Sequence, residues 1–183
     1  EKSFSLLYDF VDMFVLNISC PNVKNLAKLQ DTDTLKEIIE HLLSQRLFYD
    51  THKPILLKLS PDLDEAQVDE IVDLVLSCGL DGIVACNTTN SRDKLTTNQS
   101  VIDTIGNGGL SGAPLFERTL ERVKYIYEKT EGKLPIIASG GVMTPIQAQQ
   151  LLEAGASLVE VYTGFIYNGP SFAKKIINHL KKC

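Results

Sequence analysis

The chain has 183 residues, 44% of them hydrophobic, and a formal net charge of −5 at pH 7. This size and apolar content fit one globular domain, and the acidic balance argues against a nucleic-acid partner or an anionic membrane surface. We therefore expect a soluble protein that binds small molecules, because the sequence holds no apolar stretch near the roughly 20 residues of a bilayer span and no signal-peptide pattern.

Strand and helix patterns alternate along the chain. The predicted strands are, in order, V-L-N-I-S-C-P-N at 15–22, L-L-K-L-S-P at 56–61, I-V-A-C-N-T-T at 83–89, I-I-A-S-G-G at 136–141 and L-V-E-V-Y-T-G at 158–164. Apolar residues at helical spacing predict helices around 35–43 and 68–76, and two further helices fit 117–129 and 171–181. This order is a βα repeat.

Capping signals mark where the predicted helices begin and end. Asp64 and Thr144 each stand three residues before a glutamine, which predicts two capping boxes. Gly79, Gly132 and Gly155 follow the last apolar turns and predict helix ends.

The polar, glycine-rich segment 90–114 breaks the regular repeat. A loop of this length in a compact domain is usually functional, so we interpret it as an active-site loop. Five βα units do not close a barrel of eight strands, so the sequence predicts an α/β fold in which the chain covers about the last five units of a (β/α)8 TIM barrel. Residues 1–183 would then be the C-terminal portion of one barrel domain. A complete open five-stranded sheet is the alternative.

Strand alternation predicts which polar side chains face the barrel interior. If Val15 faces inward, Asn17 does too, and in the third strand Asn87 would be in phase with Ala85. Lys58 stands between leucines in the middle of a strand, where a buried ammonium needs a negative partner, most simply a ligand group.

Two glycine-containing strand ends indicate a phosphate site. Gly140 and Gly141 follow the fourth strand and Thr163 with Gly164 the fifth, where glycines let backbone N–H groups approach an anion. Cys20 follows a polar strand end, where a thiol can act as a base. The four cysteines have no CxxC spacing, which favours reduced thiols in the cytoplasm and no metal site. None of the three histidines falls at a predicted strand end, so a serine-histidine or histidine-metal mechanism has no support in the sequence.

Several motifs in the same order resemble the dihydroorotate dehydrogenase family. They are N-I-S-C-P-N at 17–22, K-L-S-P-D-L at 58–63, N-T-T at 87–89, G-G-L-S-G at 108–112, A-S-G-G-V at 138–142, Y-T-G-F at 162–165 and N-G-P at 168–170. The resemblance implies an FMN-containing (β/α)8 barrel that oxidises dihydroorotate to orotate in pyrimidine biosynthesis.

The resemblance also implies roles for individual residues. Cys20 matches the base that removes a proton from C5 of dihydroorotate, while a hydride leaves C6 for the flavin. Asn17, Asn22, Asn87 and Thr88 match residues that bind the pyrimidine ring and its carboxylate. The positions matching the FMN site are Asn17, Lys58, Cys86, Ser111, Gly112, Gly140, Gly141, Tyr162 and Thr163.

More of the motifs match the quinone-reducing branch of the family than the soluble branches. The resemblance therefore implies a quinone acceptor and peripheral contact with the cytoplasmic membrane through an N-terminal segment that this chain lacks. The cysteine at position 20 departs from this pattern, because the quinone branch usually carries serine there and the branches using fumarate or NAD carry cysteine. The chain also lacks the family's first strands, so by itself it would be expected neither to bind flavin stably nor to turn over.

Other functions stay open at this point. A related flavin barrel could act on another dihydropyrimidine, and a dihydrouridine synthase should show a basic RNA surface that the acidic charge argues against. A non-redox lyase or isomerase with a phosphate-binding barrel would share the glycine pair. The alternative that is not an enzyme is a truncated or non-catalytic piece of a barrel that works only by assembling with a partner chain.

Overall fold

The computed structural model describes residues 2–18, 32–93 and 95–182. The strands are β1 (Phe14–Asn17), β2 (Ile55–Leu59), β3 (Gly82–Ala85), β4 (Ile136–Ser139) and β5 (Leu158–Glu160). The helices are α1 (Lys2–Leu7), α2 (Thr32–Arg46), α3 (Glu65–Cys78), α4 (Gln99–Ile105), α5 (Phe116–Lys129), α6 (Pro145–Glu153), α7 (Thr163–Asn168) and α8 (Phe172–Leu180). Within these described ranges, short 3-10 turns cover Tyr8–Phe10 and Ala113–Leu115.

The five strands form one parallel sheet in the order β1-β2-β3-β4-β5. Because each parallel neighbour is reached through a helical crossover, the chain passes from one strand to the next without changing direction across the sheet. The carboxyl ends of all five strands therefore lie along one edge, and so do the loops that follow them.

The two faces of the sheet are covered differently. One face packs on the helices in a large core that includes Leu57, Leu59 and Ile83. The other face carries a thin apolar layer of Leu56, Val84 and Ile137, with Val15 partly buried against it. In the described part of the chain, no helix residue joins this layer. In a (β/α)8 barrel, helices cover the outer face of the strands and a layer of side chains fills the interior. The two faces of this sheet are consistent with a portion of such a barrel.

The capping signals read from the sequence are confirmed. The Asp64 carboxylate accepts a bond from Gln67 N at 2.8 Å, and the Gln67 side chain accepts one from Asp64 N at 3.1 Å. The Thr144 and Gln147 pair repeats this exchange at 3.3 and 3.0 Å. At the end of α3, Gly79 takes the left-handed conformation with φ +74°.

The segment 90–114, interpreted from the sequence as an active-site loop, is not a loop throughout. It contains α4, which begins after Asn98, whose side chain accepts a bond from Ser100 N at 3.0 Å. The polar composition hid this short helix, because α4 buries none of its side chains and so carries no apolar stripe. Short helices α1 and α7 were also missed, and β5 ends at Glu160 rather than continuing to 164.

The phase predicted for the third strand was also wrong. Ala85 pairs in register with Leu59 and belongs to the helix-facing core, so its side chain points away from the barrel interior. Asn87 nevertheless lines the cavity described below. The regular alternation of β3 stops at Ala85, so it cannot be extended to Asn87.

Within the described ranges, no helix has both the length and the apolar character needed to cross a membrane.

Candidate active site

A cavity of about 460 Å³ opens at the carboxyl edge of the sheet. Its walls come from the ends of β2, β3, β4 and β5 and from the loop before α5. The lining residues are Lys58, Cys86, Asn87, Thr88, Ser111, Gly112, Leu115, Ser139, Gly140, Gly141, Val142, Glu160, Val161, Tyr162, Thr163 and Gly164. Residues distant in the sequence thus meet where parallel strands end, the usual place for a ligand site in such barrels.

Lys58 and Glu160 form an ion pair on the floor of the cavity. Lys58 Nζ lies 3.5 Å from Glu160 Oε2, and the two side chains are 21% and 38% exposed. The sequence predicted a negative partner for Lys58, most simply a ligand group, and the protein itself supplies one in Glu160. The same signal, a charged residue between apolar ones in a strand, could have identified Glu160 in the sequence.

The two asparagines of the predicted substrate site lie side by side. Asn87 Nδ2 donates to Asn17 Oδ1 at 3.2 Å, and Asn87 Oδ1 accepts from the Thr88 backbone N–H at 2.9 Å. Asn87 and Thr88 line the cavity, whereas Asn17 lies beside it at the end of β1. The ends of β1 and β3 therefore contribute amide and hydroxyl groups to one polar patch.

Asp62 fixes the loop that carries Asn87 and Thr88. Its carboxylate accepts hydrogen bonds from the Thr89 hydroxyl, from Asn90 N at 2.8 Å and from Arg118 Nη1 at 2.8 Å. Thr89 is buried, and its backbone exchanges bonds of 3.1 and 2.7 Å with Leu110. The loops after β2 and β3, the segment before α5 and α5 itself are therefore tied together behind the cavity.

Arg92 holds the far side of the same loop. Its guanidinium donates to the Gly108 carbonyl at 2.5 Å and to the Thr89 and Asn90 carbonyls at 3.3 and 3.2 Å. A guanidinium donates in several fixed directions, so Arg92 links the carbonyls of Thr89 and Asn90 to that of Gly108.

Glycines in one wall of the cavity allow the backbone to pack closely. Gly141 has φ +78°, and a Cβ there would lie 2.3 Å from the backbone nitrogen of Phe116. Only glycine fits such a close approach of two backbones. Across the cavity, the Thr163 hydroxyl donates to the Ser111 hydroxyl at 3.0 Å, which joins the two hydroxyl groups of this wall.

Cys86 lies at the cavity but is not a reactive thiol. Burial raises the pKa of the Cys86 thiol to about 12, and Arg122, Lys58 and Arg118 offset this only in part. Because the thiolate is the nucleophilic form, Cys86 stays neutral and contributes shape rather than chemistry.

Most of the residues predicted from the sequence meet at this cavity. Those that line it are Lys58, Cys86, Asn87, Thr88, Ser111, Gly112, Gly140, Gly141, Tyr162 and Thr163. Cys20 and Asn22 lie outside the described residues. Sequence reasoning missed Glu160, and it missed the apolar wall of Leu115, Val142 and Val161, whose residues carry no signal beyond ordinary core positions.

A one-sided parallel βα sheet with a polar, glycine-walled cavity at its carboxyl edge is the arrangement of a ligand-binding (β/α)8 barrel. The family model described as "Dihydroorotate dehydrogenase" matches residues 1–183. The chain belongs to the dihydroorotate dehydrogenase family.

Relatives in sequence and in structure agree with this. A protein of Trichodesmium erythraeum (strain IMS101) named dihydroorotate dehydrogenase (quinone) is 42% identical over 99% of this chain and 48% of its own length. One of the same name from Christiangramia forsetii (strain DSM 17595 / CGMCC 1.15422 / KT0803) is 43% identical over 95% of this chain and 50% of its own.

Among solved structures, DHODH from Eimeria tenella superposes on the chain both in complex with ferulenol and without a ligand. The complex with ferulenol gives a TM-score of 0.89 and the ligand-free form 0.90, each at 34% identity over 98% of this chain. The predicted barrel fold is thereby confirmed. The chain spans about half the length of these proteins, 51% and 53% of the two crystallised chains.

Proposed function

We propose that the protein oxidises dihydroorotate to orotate with FMN as cofactor and passes the electrons to a quinone. The observation that carries the proposal is the meeting of Lys58, Asn87 and the glycine wall at one cavity, in a chain of the dihydroorotate dehydrogenase family. Since the chain spans about half of its relatives, this activity is proposed for the full-length protein.

The cavity residues fit a flavin nucleotide. The Gly140–Gly141 wall exposes backbone that a phosphate can approach, and the linked Ser111 and Thr163 hydroxyls suit a polyol chain. Lys58 is the cationic side chain among the described residues lining the cavity, where it suits the electron-rich ring. When bound, FMN supplies the acceptor for the hydride that leaves C6 of the substrate.

The residues of this chain bind the substrate and move its proton. Asn17, Asn87 and Thr88 would hold the pyrimidine ring and its carboxylate through amide and hydroxyl hydrogen bonds. Cys20 would accept the C5 proton as a thiolate, which an ordinary thiol pKa of about 8.5 makes accessible near neutral pH. Asp62 and Arg118 keep the loop of Asn87 and Thr88 in place behind the cavity.

The names of the relatives support a quinone as the electron acceptor, although the cysteine at position 20 is more typical of the branches that use fumarate or NAD. Because respiratory quinones are lipid-soluble, we propose peripheral contact of the full-length protein with the cytoplasmic membrane. Parallel steady-state assays with quinone, fumarate and NAD decide the acceptor, and quinone is expected to give the highest kcat/KM.

The test of the proposed function uses the purified full-length protein. A yellow protein that releases FMN on denaturation and is bleached by dihydroorotate is the expected result. Cys20→Ala should keep the flavin but slow its bleaching by roughly 100-fold or more, because the hydride acceptor remains while the base is gone. Cys78→Ala, at the end of α3 and outside the cavity, is the matched control and should bleach at the normal rate.

A colourless protein would contradict the proposal and favour a non-redox phosphate-binding barrel enzyme. A flavin that another dihydropyrimidine reduces faster than dihydroorotate would shift the substrate within the flavin barrels. Unchanged bleaching in Cys20→Ala would remove Cys20 from the mechanism.

A further inference from the structure

We propose that Glu160 is a positioning residue that holds the Lys58 ammonium on the cavity floor, partly offsets its charge, and so lowers the reduction potential of the bound flavin. The inference rests on the proposed function, because it concerns the cofactor that this function requires. It goes beyond it by giving the carboxylate beside the lysine an electrostatic role.

The ion pair reaches across three strand spacings on the face that carries the thin apolar layer, here called the concave face. Two strands, β3 and β4, lie between β2 with Lys58 and β5 with Glu160. Three strand spacings amount to roughly 14 Å in a flat sheet. Since Nζ and Oε2 are nevertheless 3.5 Å apart, both side chains must extend toward each other over a curved face.

The position of Lys58 explains why it needs a partner there. Lys58 pairs in register with Val84, which belongs to the apolar layer of the concave face. An ammonium above this layer is stabilised by a carboxylate at the same depth, and the pair keeps it from turning outward to solvent. Glu160 therefore fixes both where the positive charge stands and how strong its field is.

Glu160 changes the charge that a cavity ligand meets. Lys58 and Glu160 are the charged side chains among the described residues that line the cavity, so its floor is close to neutral rather than positive. Reduction adds negative charge to a flavin ring, which a lone lysine would favour and a nearby carboxylate opposes. Removing the carboxylate should therefore make the flavin easier to reduce.

The test is the midpoint potential of the flavin in the full-length holoprotein, measured by a spectroscopic redox titration. Glu160→Gln keeps the size of the side chain and removes its charge, and the potential should rise by about 30 mV, which is a tenfold change in a two-electron equilibrium. Lys58→Met should lower the potential. Glu160→Asp keeps the charge and should stay near the wild-type value.

A matched control separates the local field from net charge. Glu128→Gln makes the same charge change at a 64% exposed side chain on the outer helix α5 and should leave the potential unchanged. Glu160→Ala removes the charge and also the side chain that holds the Lys58 ammonium, so its potential should lie below that of Glu160→Gln.

The outcomes for this inference and for the proposed function are distinct. An unchanged or lowered potential in Glu160→Gln, with the flavin retained, overturns the charge effect of Glu160 and leaves the proposed function standing. A rise in Glu160→Ala equal to that in Glu160→Gln overturns the positioning role of Glu160. A wild-type protein that binds no flavin overturns the proposed function itself.

Discussion

The two edges of the sheet use charged side chains in opposite ways. At the amino edge, Asp81 precedes β3 and its two oxygens accept from Arg46 Nη1 at 2.5 Å, His52 Nε2 at 2.8 Å and Ile55 N at 2.8 Å. These partners come from the end of α2, the approach to β2 and the start of β2. The carboxylate therefore joins the start of β3 to the end of α2 and to the first residues of β2 and its approach.

At the carboxyl edge the corresponding charges leave room for a ligand. Lys58 and Glu160 meet at 3.5 Å, a long contact, and both line an open cavity of about 460 Å³. The short, saturated network at Asp81 stabilises the fold, whereas the single longer pair that lines the cavity determines the charge that a bound molecule meets. In this sheet the Asp81 network at the amino edge serves stability, and the Lys58–Glu160 pair at the carboxyl edge serves ligand binding.

The largest expected effect is on activity, from Lys58→Met at the carboxyl edge. We expect flavin reduction by dihydroorotate in the full-length protein to slow by roughly 100-fold, because the methionine keeps the apolar stem but removes the charge that stabilises the reduced ring. Stopped-flow bleaching of the flavin measures this rate.

The same variant should leave the free energy of unfolding within about 1 kcal/mol of wild type, since Glu160 is exposed enough to be hydrated when its partner is lost. A large loss of stability with little loss of rate would mean that Lys58 serves the stability of the fold rather than flavin reduction.

Asp81→Asn at the amino edge should have the opposite profile. Loss of the carboxylate leaves the Arg46 guanidinium, whose side chain is only 14% exposed, without its anion, and we expect about 2 kcal/mol less stability. Urea unfolding measures this loss, while kcat/KM should not change.

Asp73→Asn is the matched control for Asp81→Asn. Its carboxylate pairs with Lys129 at 3.1 Å but is 67% exposed, so its removal should cost no more than about 0.5 kcal/mol. Equal losses in the two variants would mean that Asp81 has no special place at the amino edge.

The sequence predicted the fold well where local signals and tertiary packing agree. The capping boxes at Asp64 and Thr144 and the turn at Gly79 depend on neighbouring residues alone, so they could be read directly. Helix α4 could not, because its side chains stay out of the core and leave no periodic apolar pattern. The phase of Asn87 failed because alternation holds only inside a strand, and β3 ends at Ala85.

The candidate site was predictable as a set of strand ends but not as a set of contacts. Lys58 stood out as a charge between leucines, yet the sequence could not say that its partner lies 102 residues away on β5. The role of Asp62 behind the cavity was equally hidden, because its partners Asn90 and Arg118 come from different loops and helices. Long-range pairings of this kind depend on the curvature of the sheet.

A smaller effect on substrate binding is expected from Asp62→Ala. This residue gives the carboxyl edge a closed network of its own, and without it the loop after β3 loses the bonds from Thr89, Asn90 and Arg118. Because Asn87 and Thr88 would then have to be ordered by the substrate, KM for dihydroorotate should rise roughly tenfold, about 1.4 kcal/mol, with a smaller change in kcat.

Asp64→Ala, two residues further on, is the control for Asp62→Ala. It removes the cap of α3 and should cost about 1 kcal/mol of stability without raising KM. A rise in KM common to both variants would mean that general loosening of this region, rather than the Asp62 network, affects binding.

The smallest expected effect is a pH dependence of the free energy of unfolding, which arises from Asp81 at the amino edge. Burial raises the pKa of Asp81, but hydrogen bonds from Ile55 N, His52 and Arg46 and the Arg46 charge outweigh it, so the pKa of Asp81 is lowered from its ordinary value of 3.8. A lowered folded-state pKa contributes stability that is present above the unfolded pKa and is lost as the pH falls through the folded one. We therefore expect the difference in free energy of unfolding between wild type and Asp81→Asn, measured in urea, to be smaller at pH 3 than at pH 7. At the lower pH, protonation removes from the wild type the negative charge that the substitution has already removed. If this difference in free energy stays constant over the pH range, the partners at the amino edge do not stabilise the charged form of Asp81.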